Sequence, residues 1–110
     1  MKTKTFLVTG GTGFIGSSIS KLLVKKNYNV KIFDNNSRGC INNIKSFKKK
    51  VTFIKGDIRN KKLLNKSLKK TNAVIHLAYV NGTMNFYKEP VKVLDIAVKG
   101  IVNVLECCVE

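Results

Sequence analysis

Three glycines near the N-terminus have the spacing needed to hold a phosphate group. Gly10, Gly13 and Gly16 lie between an apolar run and a helical pattern. Gly10 permits a sharp turn off a strand, Gly13 lets a diphosphate approach the backbone, and Gly16 lets the helix pack closely. The helix N-terminus then offers free N–H groups and a partial positive charge. The spacing predicts a nucleotide-binding loop, and a purely structural glycine-rich turn is the alternative.

An acidic side chain follows at the position where a nucleotide ribose would need one. Asp34 closes a second apolar run, eighteen residues after Gly16. Its carboxylate can accept hydrogen bonds from both ribose hydroxyls of an adenosine and would repel the extra phosphate of NADP. Asp34 therefore favours NAD, although Arg38 nearby leaves NADP open. Taken alone, Asp34 is also a plausible loop-capping residue.

The elements that must position these residues follow from hydrophobic periodicity. Apolar runs at 5–8, 30–33, 51–54 and 73–77 predict four strands. Helical spacing predicts a first helix from Gly13, an amphipathic helix over 60–70 with its lysines on the solvent side, and a helix over 90–109. The apolar positions of these helices are Ile15, Ile19, Leu22 and Leu23, then Leu63, Leu64 and Leu68, then Val91, Leu94, Val98, Ile101, Val102, Leu105 and Val109. A weaker pattern passes through Ile41, Ile44 and Phe47. Alternating strands and helices indicate an α/β fold with a parallel sheet covered on both faces.

Length and charge set limits on the class of protein. The 110 residues suit one domain, without an internal repeat or linker, and no apolar run is long enough for a transmembrane helix, so we expect no membrane partner. The net charge of +15 comes from 19 scattered lysines and only two arginines, which is typical of AT-rich codons. Nucleic acid is therefore an unexpected partner, although a basic binding surface is the alternative.

The three cysteines have no metal-ligand spacing, and we expect no metal site and reduced thiols in a cytoplasm.

The glycine motif and three later segments resemble one enzyme superfamily. The segment TGGTGFIG at 9–16 is similar to that of extended short-chain dehydrogenases/reductases, in the branch of NAD-dependent nucleotide-sugar epimerases and dehydratases. DNNSRG at 34–39, KGDIR at 55–59 and VIHLA at 74–78 resemble the corresponding segments in the same order. The resemblance covers nearly all of the chain and is specific for the superfamily, not for one enzyme. It implies a Rossmann-type doubly wound parallel sheet, incomplete at about four strands.

The resemblance also implies which residues hold NAD. Those implied near the pyrophosphate are Gly10, Gly13, Phe14, Ile15 and Gly16. Those implied around the adenosine ribose are Asp34, Asn35, Ser37 and Arg38. Asp57 and Ile58 would contact the adenine, and Leu77, Ala78 and Tyr79 would lie beneath the cofactor nearer the nicotinamide. Ile15, Ile58 and Leu77 are equally consistent with plain core residues, and the single histidine, His76, is expected to be packed and hydrogen-bonded.

Several residues depart from the pattern of the branch. Tyr79 replaces a small residue, so it either shapes a substrate pocket or faces outward, and Ala97 stands where an Asn is usual.

The catalytic Tyr-x-x-x-Lys pair of the superfamily is absent, because Tyr28, Tyr79 and Tyr87 are not followed by Lys at the fourth position. We therefore expect no catalytic residue in these 110 residues and no turnover from them alone. The remaining strands, the catalytic segment and a substrate domain are expected to lie beyond them.

The resulting expectation is the N-terminal part of an NAD-dependent epimerase or dehydratase. Such an enzyme acts by transient oxidation of a hydroxyl of a nucleotide sugar. The resemblance implies a homodimer to which the helix over 90–109 contributes, so much of its broad apolar face would lack partners within these residues. Two alternatives stay open: an NAD(P)-dependent reductase of the same superfamily, and a non-catalytic nucleotide- or RNA-binding module.

Overall fold

The computed structural model describes residues 3–36, 39–79 and 87–109 of the chain. Within them, strands and helices alternate as the periodicity predicts. The strands are β1 (Thr5–Thr9), β2 (Asn29–Asp34), β3 (Val51–Lys55) and β4 (Ala73–His76). The helices are α1 (Phe14–Lys25), a 3₁₀ helix (Ile41–Lys50), α2 (Lys61–Ser67), α3 (Pro90–Leu94) and α4 (Gly100–Val109), with a π turn (Asp95–Lys99) between α3 and α4.

The four strands form one parallel sheet in the order β3-β2-β1-β4. The register places Val8 of β1 beside Ile32 of β2 and Ile75 of β4. From β1 the chain moves outward to β2 and β3, and then returns to β4 on the other side of β1. The winding therefore reverses between β1 and β4, which is where doubly wound sheets bind ligands. The predicted fold class is confirmed.

Each face of the sheet carries its own core, because side chains alternate along a strand. Leu7 and Phe33 point to the face covered by α2 and by helical segment 90–109. Val8 and Ile32 point to the opposite face, which α1 and the 3₁₀ helix cover. Both faces are thus covered, as the near-continuous apolar strands predict.

Helix α1 packs against the sheet through small residues. It begins after Gly13, and its buried residues are Gly16 and Ser20. Ile15 and Leu22, which belong to the predicted apolar face, are 61% and 52% exposed. For these two residues the expected face is wrong, because the helix turns the small residues Gly16 and Ser20 toward its neighbours, and their size lets its backbone approach closely.

Two shorter helices confirm the remaining patterns. Ile44 and Phe47 are buried as the weak pattern suggests, although the backbone is 3₁₀ and is interrupted at Phe47. Helix α2 buries Leu64 and leaves most of its lysines exposed. The Asn60 side chain caps this helix by accepting a hydrogen bond from the N–H of Leu63 at 3.1 Å.

Helical segment 90–109 runs from α3 through the π turn into α4. The residues that it buries are Val93, Ile96, Gly100, Asn103, Val104 and Cys107. The stripe formed by Val91, Leu94, Val98, Val102, Leu105 and Val109 is exposed, with Val102 at 44% the least so. Much of the apolar face therefore lacks a partner within the described residues, as expected. The seam that does pack on the sheet is a different one, which the periodicity does not identify.

None of the helices described is long and apolar enough to cross a bilayer. Cys107 is buried and Cys40 and Cys108 are exposed, and none of the three forms a disulfide among the described residues. In the same part of the chain, no group of three His, Cys, Asp or Glu side chains is placed to hold a metal ion.

Candidate nucleotide-binding site

A cleft of about 350 Å³ opens at the carboxyl ends of the strands. Its volume is in the range of small-molecule sites. The residues that line it are Gly10, Gly13, Phe14, Ile15, Gly16, Phe33, Asp34, Asn35, Gly39, Gly56, Asp57, Ile58, Leu77, Ala78, Tyr79 and Ile96. Twelve of the fourteen predicted site residues are among them, and the other two, Ser37 and Arg38, lie outside the described residues. The structure thus brings the predicted set together, while its role toward a cofactor stays a prediction.

The glycine triplet shapes one wall of the cleft. Gly10 has φ +73°, and a Cβ there would lie 2.9 Å from the backbone N of Ala78. A Cβ on Gly16 would overlap the carbonyl oxygen of Gly10, so Gly16 lets α1 approach the turn. At Gly13, by contrast, a Cβ would meet only the Gly10 carbonyl oxygen, at 3.4 Å. The surroundings of Gly13 are otherwise open, so the fold itself does not require a glycine at this position.

The N-terminus of α1 is arranged to receive an anion. Gly13 is its N-cap and supplies no side chain to the first N–H groups, and the first turn holds no acidic residue. Phe14 and Ile15 line the cleft and are 89% and 61% exposed, so Ile15 is not a core residue. A diphosphate in the cleft would meet unscreened helix N–H groups.

Asp34 places a buried carboxylate at the end of β2. It is 8% exposed and lines the cleft. Its Oδ2 accepts a hydrogen bond from the N–H of Thr12 at 3.0 Å, and its Oδ1 accepts one from the N–H of Asn36 at 2.7 Å. Asp34 is therefore a loop-capping residue as well as a cleft residue. Each oxygen accepts one of these hydrogen bonds from the described residues and can accept two, so beside them each can take one hydroxyl of a ribose.

A second carboxylate, Asp57, follows β3. Oδ1 of Asp57 accepts hydrogen bonds from the N–H and Nε of Arg59, and Oδ2 accepts one from Nη2 of Arg59 at 2.8 Å. These bonds from Arg59 hold the pKa of Asp57 below its ordinary value, although partial burial acts in the opposite direction. Asn35 also donates to Oδ2, at 3.4 Å. Ile58 is 4% exposed and lines the cleft, so it is a core residue and a site residue at once.

The residues after β4 form the floor of the cleft. The Thr9 hydroxyl oxygen accepts hydrogen bonds from the N–H groups of Leu77 and Ala78, at 3.0 and 3.1 Å. It also lies 2.7 Å from Nδ1 of His76, which is packed and hydrogen-bonded as expected. Burial lowers the pKa of His76. Leu77 is 37% exposed and is not a core residue, and Tyr79, at 41%, lines the cleft.

Four lining residues are absent from the predicted set. Gly39 and Gly56 had a detectable signal, since each is a glycine in a segment that follows a strand. A Cβ on Gly39 would overlap the backbone of Thr12, and one on Gly56 would lie 2.7 Å from the Phe33 ring. Phe33 precedes Asp34 and has no distinguishing signal. Ile96 reaches the cleft from the π turn, which periodicity does not reveal.

The combined geometry fits a dinucleotide. An open approach to a helix N-terminus lies at the point where the winding of the sheet reverses. A buried carboxylate stands at the end of the neighbouring strand and a second one after the next strand. The fold and the cleft together define a Rossmann-type nucleotide-binding domain of the short-chain dehydrogenase/reductase kind.

Comparisons with known proteins give the family. The family model described as GDP-mannose 4,6 dehydratase matches residues 7–110, and the chain belongs to this family. A protein of Methanocaldococcus jannaschii, whose name assigns it provisionally to the UDP-glucose 4-epimerases, is 45% identical over 101 residues, which are 91% of this chain and 32% of that protein. The predicted resemblance to extended short-chain dehydrogenases/reductases of the epimerase and dehydratase branch is confirmed.

Solved structures agree with this assignment. The epimerase Mth375 of Methanothermobacter thermautotrophicus matches with a TM-score of 0.89 and 36% identity over 96% of this chain and 32% of its own. The dTDP-glucose 4,6-dehydratase DesIV of Streptomyces venezuelae, solved with NAD bound, matches with a TM-score of 0.89 and 28% identity over 96% of this chain and 35% of its own. The chain thus spans about a third of the length of these relatives.

Proposed function

We propose that the chain binds NAD in the cleft, with its diphosphate at the N-terminus of α1 and its adenosine ribose on Asp34. This proposal rests mainly on the open space around Gly13, which lies beside a helix N-terminus that no side chain caps. The buried carboxylate of Asp34 supports NAD over NADP, because a 2′-phosphate there would meet a negative charge. The NAD bound to the Streptomyces venezuelae dehydratase is a further support.

We further propose that the protein is a nucleotide-sugar epimerase or dehydratase of the cytoplasm. Bound NAD would supply the hydride acceptor for transient oxidation of a sugar hydroxyl. The names of the relatives support a nucleotide sugar as substrate. The exposed stripe on segment 90–109 supports a homodimer. These 110 residues, which hold no Tyr-x-x-x-Lys pair, bind the cofactor without turning over substrate.

The cofactor site is tested by adding a side chain to Gly13. Gly13→Val places methyl groups where the diphosphate would approach and removes at least two hydrogen bonds to a charged group, so affinity for NAD falls by about a hundredfold or more. Isothermal titration calorimetry with NAD and NADP measures the loss and the preference for NAD. Because a Cβ at this position meets only one atom, at 3.4 Å, the variant keeps its fold, which circular dichroism and thermal melting check.

Ser18→Val is the matched control. Ser18 lies on the same helix, is exposed and does not line the cleft. The same side chain introduced there leaves the affinity for NAD unchanged. Equal affinities of the Gly13→Val variant and the unmodified chain, or no binding of NAD by the unmodified chain, would overturn the proposed cofactor site.

A further inference from the structure

The loop after β3, residues 56–60, is tied to helical segment 90–109 at three places. The first tie is Arg59, whose guanidinium bridges two carboxylates. Its Nε and Nη2 bind the two oxygens of Asp57 at 3.1 and 2.8 Å, and its Nη1 donates to Oδ2 of Asp95 at 3.1 Å. Because the Arg59 guanidinium binds both oxygens of Asp57 at once, it fixes the plane of the carboxylate. Asp95, at the start of the π turn, fixes the guanidinium in turn.

The second and third ties act on Ile58. The side chain of Asn103, which is 7% exposed, donates from Nδ2 to the carbonyl oxygen of Ile58 at 2.9 Å. A Cβ on Gly100 would overlap the end of the Ile58 side chain, with Cγ1 of Ile58 at 2.8 Å. The glycine thus lets the helix backbone press the Ile58 side chain toward the cleft that it lines.

The π turn brings these ties onto one face of the helix. In a regular α-helix, residues five positions apart point about 140° away from each other. The wider π turn accommodates one more residue per turn, so Asp95 and Gly100 both face the loop. The same turn places Ile96 in the cleft wall. One local irregularity therefore positions Asp95, Ile96 and Gly100 together.

Of the two carboxylate oxygens of Asp57, Oδ2 is the better placed to receive a ligand, because one of its two hydrogen bonds is long. Oδ1 already accepts two hydrogen bonds, both from Arg59. Oδ2 accepts one short bond from Arg59 and one long bond of 3.4 Å from Asn35. A donor group on a bound base would therefore be received by Oδ2, in the plane that Arg59 sets.

We propose that Asp95 and Asn103, with the π turn between them, are positioning residues that set base selectivity through the loop after β3. Asp95 acts through Arg59 on Asp57, and Asn103 acts on the backbone of Ile58. The proposal rests on the NAD site proposed above. It assigns to helical segment 90–109 a role in cofactor recognition that neither the charge nor the exposure of its own residues would suggest.

The test compares NAD with its hypoxanthine analogue, which carries a carbonyl oxygen in place of the 6-amino group. The unmodified chain is expected to bind NAD about tenfold or more tightly, since the analogue turns a donor toward a carboxylate into a second acceptor. Asp95→Asn removes the charge that holds Arg59, and the ratio of the two affinities falls to within about threefold. Asn103→Leu removes the donor to Ile58 and has the same effect on the ratio. Calorimetry gives the ratio, and thermal melting shows that each variant is folded.

Glu106→Gln is the matched control. Glu106 forms a different ion pair, with Lys61 at 3.0 Å, and this pair joins α4 to α2 without reaching the loop. Loss of this ion pair is expected to leave the ratio of the affinities for NAD and its hypoxanthine analogue unchanged. The proposal is overturned if NAD binds without preference, if Asp95→Asn and the folded Asn103→Leu variant keep the full preference, or if Glu106→Gln lowers it equally; in each case the NAD site stands. No binding of NAD at all would overturn the proposed function, and this inference with it.

Discussion

The hydroxyl of Thr9 determines the protonation state of the histidine beside it. Its oxygen accepts hydrogen bonds from the N–H groups of Leu77 and Ala78, so its own proton is directed to Nδ1 of His76 at 2.7 Å. His76 must therefore accept at Nδ1 and carry its proton on Nε2. A protonated imidazolium would have no acceptor there and would break this junction between β1 and β4. The floor of the cleft thus depends on a neutral histidine.

The neutral histidine gives the chain a pH-dependent stability. Because burial lowers the pKa of His76 below the ordinary 6.5, the folded chain binds fewer protons than the unfolded chain in the window between the two values. This contribution is complete above about pH 6.5 and is lost as the pH falls through the window toward the lowered pKa. We expect urea denaturation to give a lower free energy of unfolding at about pH 5 than at about pH 8.

His76→Asn separates this effect from the titration of other groups. An Asn side-chain oxygen can accept the Thr9 hydroxyl proton but does not titrate in this range. The variant is expected to show a flatter dependence of stability on pH, and the difference between the two curves belongs to His76. Identical curves for the variant and the unmodified chain would show that His76 is not held neutral by the fold.

At the scale of elements, the cleft was more predictable than the packing. Residue type and position along the chain were enough to select Gly10 and Asp34, and the family resemblance added Asp57. All three line one cleft, because a parallel sheet brings the carboxyl ends of its strands to one edge. Helical segment 90–109 was not predictable in the same way. A periodicity of 3.6 assumes a regular helix, and the π turn breaks that assumption at Asp95–Lys99. Its packing seam also contains Gly100 and Asn103, which no hydrophobic pattern selects.

A lysine connects β2 to the end of α2. The Lys31 ammonium donates to the carbonyl oxygens of Lys69 and Ser67, at 2.6 and 3.0 Å, and to the Thr71 hydroxyl at 3.3 Å. Burial lowers the pKa of Lys31, and the nearby Lys70 acts in the same direction. The carbonyls at the end of a helix otherwise lack partners, so this ammonium caps α2 from the sheet.

Replacing Lys31 is expected to destabilise the fold without touching the cleft. Lys31→Met keeps most of the side-chain volume but removes three hydrogen bonds, and we expect the free energy of unfolding to fall by about 1–2 kcal/mol in urea denaturation. Lys55→Met is the control, because Lys55 lies on β3 with an exposed side chain. Its effect should stay within about 0.5 kcal/mol. Equal effects of the two substitutions would show that the cap contributes nothing.

At the scale of the whole molecule, only a few of the many basic side chains take part in the ion pairs identified among the described residues. The charged residues that line the cleft are Asp34 and Asp57, and the basic residues of the ion pairs identified are Arg59, which pairs with Asp57, together with Lys61 and Lys92. The lysines of α2 and of the 3₁₀ helix are mostly exposed. Such a distribution favours a solvated surface over a nucleic-acid interface, and the exclusion of nucleic acid as a partner stays a prediction.

The exposed stripe on segment 90–109 gives the proposed homodimer a direct test. Leu105 is 59% exposed in the middle of α4. A twofold contact through this helix would bury Leu105 of both subunits. Burying one leucine contributes about 1.5–3 kcal/mol, so Leu105→Glu should weaken self-association by at least about tenfold in sedimentation equilibrium. Leu22→Glu makes the same change at a leucine that is 52% exposed on α1, across the sheet, and should leave association unchanged. A chain that stays monomeric, or that loses association equally with both substitutions, would contradict dimerisation through this helix.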